Sequence, residues 1–71
     1  MEFDIEMLVD LREDRGLNMS QVAKGLGMHR QQLHQIENGV NSPSLKTITR
    51  IAEFFGVPGV LFIKTGGENN G

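Results

Sequence analysis

Two short helical periods lie only three residues apart. In MSQVAKGL, Met19, Val22, Ala23 and Leu26 return to one helix face. In RQQLHQIE, Leu33 and Ile36 do the same. The link Gly27-Met28-His29 is about three residues long and contains a glycine, which marks a turn. Two short helices with this spacing match the helix-turn-helix connection.

The flanking residues extend the pattern. Ile5, Leu8, Val9 and Leu11 predict a first helix from Asp4 to Arg15, with Asp4 as N-cap, Gly16 as the stop and Leu17 packing back onto it. Asn18 caps the second helix, Gly25 weakens it and Gly27 ends it. Asn38-Gly39 has the composition of a two-residue hairpin, but its flanks have helical period, so Gly39 is read as a left-handed helix stop. Ser44 caps a fourth helix whose stripe is Leu45, Ile48, Ile51, Ala52 and Phe55, and Gly56 ends it. VPGVLFIKT reads as a short fifth helix or a strand, with the helix favoured. Phe54, Phe55 and Phe62 read as core. The expected fold is all-α, with four to five helices over residues 1–64 and a disordered tail at 65–71.

The third helix gives only Leu33 and Ile36 to a core. Arg30, Gln31, His34 and Gln35 therefore face outward together. Such a helix is shaped for insertion, and the major groove of B-form DNA is wide enough to take it. Charge has the matching asymmetry. The whole chain carries a formal net charge of -2, yet residues 18–50 hold Lys24, Arg30, Lys46 and Arg50 against Glu37 alone. Residues 1–17 hold six acids and two bases. One basic face on an acidic body follows.

Other functions are poorly served. There is no cysteine, hence no disulfide and no thiolate metal site. His29 and His34 are five apart with no carboxylate or thiol at ligand spacing, so no metal is expected. No serine or acid pair has an identifiable base and orienting partner, so neither catalysis nor a cofactor is expected. The first residues, MEFDIE, are acidic where a secretion signal would be basic, and no apolar run approaches the ~20 residues of a membrane span. A cytoplasmic protein without membrane association is expected.

The stretch LREDRGLNMSQVAKGLGMHRQQLHQIENGVNSPSLKTITRIAEFFGV, Leu11 to Val57, resembles the Cro/CI-type helix-turn-helix family, also called the Xre family. The matching pieces are LR then GL in the first helix and turn, VAKGLG in the second helix, QIENG closing the third, and PSL with IAEFFGV in the fourth. The resemblance implies a lambda-repressor-like domain that binds double-stranded DNA sequence-specifically, usually as a homodimer on a two-fold operator and usually in repression. By position it implies base reading by Arg30, Gln31, His34 and Gln35. It implies backbone contacts from Asn18, His29, Gln32, Asn38, Asn41, Ser44 and Lys46, and a structural pair between Arg12 and Glu37. The side-chain chemistry agrees: glutamine pairs with adenine N6/N7 and arginine with guanine O6/N7.

The chain departs from the family pattern at Met19, where glutamine is common, at Val40 and Asn41, where bases are common, and at His29, where serine or threonine is usual. Phosphate anchoring is thinner than the family implies. A protein-binding role on the same scaffold, as an antitoxin or anti-regulator with weak DNA affinity, is the alternative. Four consecutive apolar residues, Val60, Leu61, Phe62 and Ile63, exceed what one short helix buries and are the expected dimer contact.

Overall fold

Side-chain caps start three of the four α-helices, and a left-handed glycine follows each of the four. A computed structural model describes residues 2–64. The order is β1 (Glu2–Phe3), α1 (Ile5–Asp14), α2 (Met19–Leu26), α3 (Arg30–Glu37), α4 (Leu45–Phe55), a 3-10 turn (Gly59–Phe62) and β2 (Ile63–Lys64). Asp4 Oδ1 accepts from the Met7 N–H at 3.2 Å, and Ser44 Oγ accepts from the Thr47 N–H at 3.2 Å. Asn18 and Gln21 form a full capping box, each side-chain oxygen accepting the other's N–H at 2.8 Å. After each helix a glycine takes positive φ: Gly16, Gly27, Gly39 and Gly56, at 66 to 74°. At Gly27 the reversal lets the Met28 N–H reach the Ala23 carbonyl at 3.0 Å, which satisfies an otherwise unpaired end group and aims the chain into α3.

The core is one cluster. α1 gives Leu8, α2 gives Val22, Ala23 and Leu26, and α3 gives Leu33 and Ile36. α4 gives Ile48, Ile51, Ala52 and Phe55, and the 3-10 turn gives Phe62. Leu33 is wholly buried and Ile36 nearly so. Each contributes about 2 kcal/mol to holding α3 on the body.

Four expectations change. Phe54, read as core, is 37% exposed and lies over Gly25 at the edge of the cluster. Leu45 is 69% exposed, because it is the first residue of α4 and its side chain hangs over the preceding loop; the buried stripe starts at Ile48. The segment after Pro58 is a short helix of the 3-10 kind and then a strand, and the strand does not await a second copy. This strand, β2, pairs antiparallel with β1, Glu2 opposite Lys64 and Phe3 opposite Ile63. The Asp4 N–H donates to the Phe62 carbonyl, and the Phe3 and Phe62 rings stack with centroids 5.8 Å apart. Phe62 is thus fully buried in the monomer and is withdrawn from the expected dimer contact. The remaining expectation, a disordered tail at 65–71, lies outside the described residues.

Gly25 does more than weaken α2. A Cβ placed there would overlap the ring of Phe54, which lies against the helix from α4. Gly25→Ala is expected to lower the melting temperature despite the better helix propensity of alanine. In a Phe54→Ala background the same change should raise stability, by about 0.5–1 kcal/mol. Thermal melts of the four proteins check this; destabilisation in both backgrounds would mean that Phe54 is not the obstacle.

Arg15 also has a role beyond ending α1. Its Nη2 donates to the Phe55 carbonyl at 3.0 Å, and its guanidinium lies 5.7 Å from the Phe55 ring centroid. A cation thus meets the carbonyl end of α4, where the helix dipole favours it.

Candidate nucleic-acid interface

α3 presents its polar residues to solvent because its apolar ones are only two. Arg30, Gln31, Gln32 and His34 are exposed and Gln35 is half-buried. Positions 30, 31, 34 and 35 lie side by side on one flank of a helix. Neither Arg30 nor Gln31 makes a side-chain hydrogen bond among the described residues, so both keep their full donor and acceptor sets for a partner.

The mount beneath this face is an ion pair. Arg12 on α1 donates from Nε to Glu37 Oε2 at 2.7 Å and from Nη2 to Glu37 Oε1 at 3.0 Å. Its Nη1 donates to the Leu17 carbonyl at 3.1 Å. The Arg12 and Glu37 side chains are only 13% and 4% exposed. Donation of hydrogen bonds to Glu37 raises the Arg12 pKa above its ordinary value, burial opposes it, and the charges of Glu37 and Glu13 add to the rise. Arg12 therefore stays charged across the working pH range. The stabilisation from this shift is lost only when pH climbs through the raised folded value, at the alkaline extreme. Arg12 joins three elements: α1, the turn before α2, and the end of α3.

The residues expected at the DNA backbone divide by what already occupies them. Asn18 Oδ1 and Ser44 Oγ are engaged in capping, so the ends of α2 and α4 offer the Asn18 amide N–H groups and free backbone N–H donors. His29 donates its backbone N–H to Gln32 Oε1 at 3.0 Å, which leaves the Gln32 amide nitrogen free. Asn38 Nδ2 is bound to the His34 carbonyl at 2.7 Å. Lys46 is exposed, in the first turn of α4. Met19 is half-buried against the core, which explains an apolar residue at a helix start. The structure also joins two residues that were assigned separate roles: Asn41 Nδ2 donates to Gln35 Oε1 at 2.9 Å. Sequence spacing alone gave no sign of this contact, because it depends on the reversal at Gly39.

No helix among the described residues is long and apolar enough to cross a membrane. The helix-turn-helix family model HTH_3 matches residues 8–62. The chain is 43% identical over 49 residues to the cryptic phage CTXphi transcriptional repressor RstR of Vibrio cholerae, covering 69% of this chain and 44% of that protein. It is 46% identical over 46 residues to the ImmF control region 10 kDa protein of Bacillus phage phi105, covering 65% of this chain and 51% of that protein. The chain thus spans about half the length of these curated relatives. A crystal structure of an HTH_3 family transcriptional regulator from Vibrio cholerae superposes with a TM-score of 0.71 at 33% identity, covering 78% of this chain and 31% of that one. Measured by a family match across most of its length and by these relatives, the chain belongs to the HTH_3 helix-turn-helix family, the Cro/CI or Xre type that its sequence resembles.

Proposed function

We propose that this chain is a sequence-specific DNA-binding transcriptional regulator, a repressor rather than an enzyme, acting in the cytoplasm. The observation that carries the reading is α3: two buried residues, a polar outer flank of Arg30, Gln31, His34 and Gln35, and a nearly buried ion pair fixing its far end. The relatives it is similar to, a phage transcriptional repressor among them, support the same reading. In it the four residues read base edges, while Asn18, His29, Gln32, Ser44, Lys46 and the N–H groups at the starts of α2 and α4 hold phosphates. Selection of bound sites from a random duplex pool tests it: an enriched motif is expected, and a pool that stays random refutes it.

The shortage of bases near the expected phosphate contacts favours a second reading, a protein-binding antitoxin or anti-regulator. Duplex affinity measured across a salt series separates the two. A DNA-binding regulator gives a steep fall of log K with log salt, since each neutralised phosphate adds about -0.9 to the slope.

One copy of α3 covers a few base pairs, so a two-fold pair with its helices roughly 34 Å apart is the arrangement proposed. Val60, 70% exposed, and Leu61, 42% exposed, stand out beside the half-buried Ile63. A Val60→Glu, Leu61→Glu variant is expected to sediment as a monomer and to lose affinity for a two-half-site duplex. If it sediments and binds as the wild type does, the contact lies elsewhere.

A further inference from the structure

Gln35 differs from the other residues on the outer flank of α3 in being held. Gly39, at φ 74°, turns the chain back over the end of the helix. The Val40 and Asn41 N–H groups both reach the Gln35 carbonyl, at 2.9 and 3.4 Å. That lays Asn41 beside Gln35, and its Nδ2 donates to Gln35 Oε1 at 2.9 Å. A glutamine amide has one acceptor end and one donor end. With the acceptor turned to Asn41, the donor Nε2 is the end left for a ligand.

We infer that Asn41 is a positioning residue that fixes which end of the Gln35 amide meets DNA, and so sets the base preference at one position of each half-site. The inference rests on the proposed reading of α3 as the base-reading helix. A free glutamine suits adenine, which offers a donor and an acceptor side by side in the major groove. A glutamine held by its oxygen presents two N–H donors instead. Guanine, with O6 and N7 both accepting, is the base edge that matches them. Asn41 itself then acts through Gln35 rather than on a phosphate.

The substitution that reverses the arrangement is Asn41→Asp. A carboxylate only accepts, so it draws Gln35 Nε2 inward and turns Oε1 toward the groove, where it suits the amino groups of adenine or cytosine. Asn41→Ala releases the amide. Asn41 is exposed and outside the core, so neither change is expected to move the melting temperature appreciably. Wild type and both variants are each used to select sites from one random duplex pool, and the base frequencies are compared position by position. In the wild type, guanine is expected at the position that Gln35 reaches. In Asn41→Asp the ratio of guanine to adenine plus cytosine there should fall about tenfold, with the other positions unchanged. In Asn41→Ala, whose freed amide suits adenine, the preference there should move from guanine toward adenine. The charge added by aspartate weakens binding to every sequence alike and is screened by salt, so it does not mimic a change at one position. Identical motifs from all three proteins, whatever their affinities, overturn the role of Asn41. A wild-type pool with no enriched base overturns the base-reading proposal itself, and this inference with it.

Discussion

Replacing Glu37 with alanine is expected to lower the unfolding free energy by about 3 kcal/mol. For a domain of this size that is a fall in melting temperature on the order of 15 °C. The size of the effect comes from what stays behind rather than from what is removed. Arg12 is 13% exposed, and its Nε and Nη2 both point at the lost carboxylate. Without Glu37 it keeps only the Leu17 carbonyl, and a nearly buried cation loses its counter-charge. Removing Arg12 as well relieves that strain. The Arg12→Ala, Glu37→Ala double variant should therefore be more stable than the sum of the single changes implies, by at least about 1 kcal/mol. Melts of the three variants and the wild type close the cycle; strictly additive single effects would mean that the pair is not coupled. DNA affinity should fall in step with Glu37→Ala, because α3 loses the anchor at its end.

Gln31→Ala should instead leave stability alone and weaken binding to the selected duplex by about 1–3 kcal/mol, roughly 5- to 150-fold. Gln31 is exposed and makes no side-chain hydrogen bond among the described residues. Truncating it breaks nothing inside the protein. Binding to random duplex should be nearly unchanged, since that affinity comes from phosphates. Affinities for selected and random duplexes at one salt concentration decide it. An equal loss on both would make Gln31 a backbone contact, and no loss on either would place it outside the interface. The contrast between Glu37 and Gln31 separates the mount from the reading surface: one change moves the melting temperature, the other moves only the preference for sequence.

Local physics made much of the fold legible. Asp4, Asn18 and Ser44 have side chains that cap, and glycine after a helical period predicts a stop, so the four helices could be bounded from residue types. The outward flank of α3 was legible for the same reason, since Leu33 and Ile36 alone could face a core. What could not be read depends on partners remote in the chain. β1 and β2 are two residues each, too short to show a period, and each exists only because the other lies beside it. Gly25 looked like a weak point in α2 because the ring that requires it arrives from α4. Leu45 fitted the stripe of α4, but periodicity does not distinguish a first-turn residue over a loop from one over the core. Arg12 and Glu37 are linked by no local pattern. Only the family resemblance suggested them as partners, and the bidentate geometry came with the structure. The tie between Asn41 and Gln35 needed the direction of the chain after Gly39.

The most direct measurement is a titration of isotopically labelled protein with the selected duplex, followed by the amide signal of each residue. Large shifts are expected over residues 29–35, at the starts of α2 and α4, and in the 38–44 loop. Glu6, Asp10 and Glu13 on the acidic α1 should stay in place. Shifts concentrated on α1, or on the segment from Gly59 to Lys64, with α3 unmoved, would contradict it: the polar flank of α3 would then be a solvated face and not a reading surface.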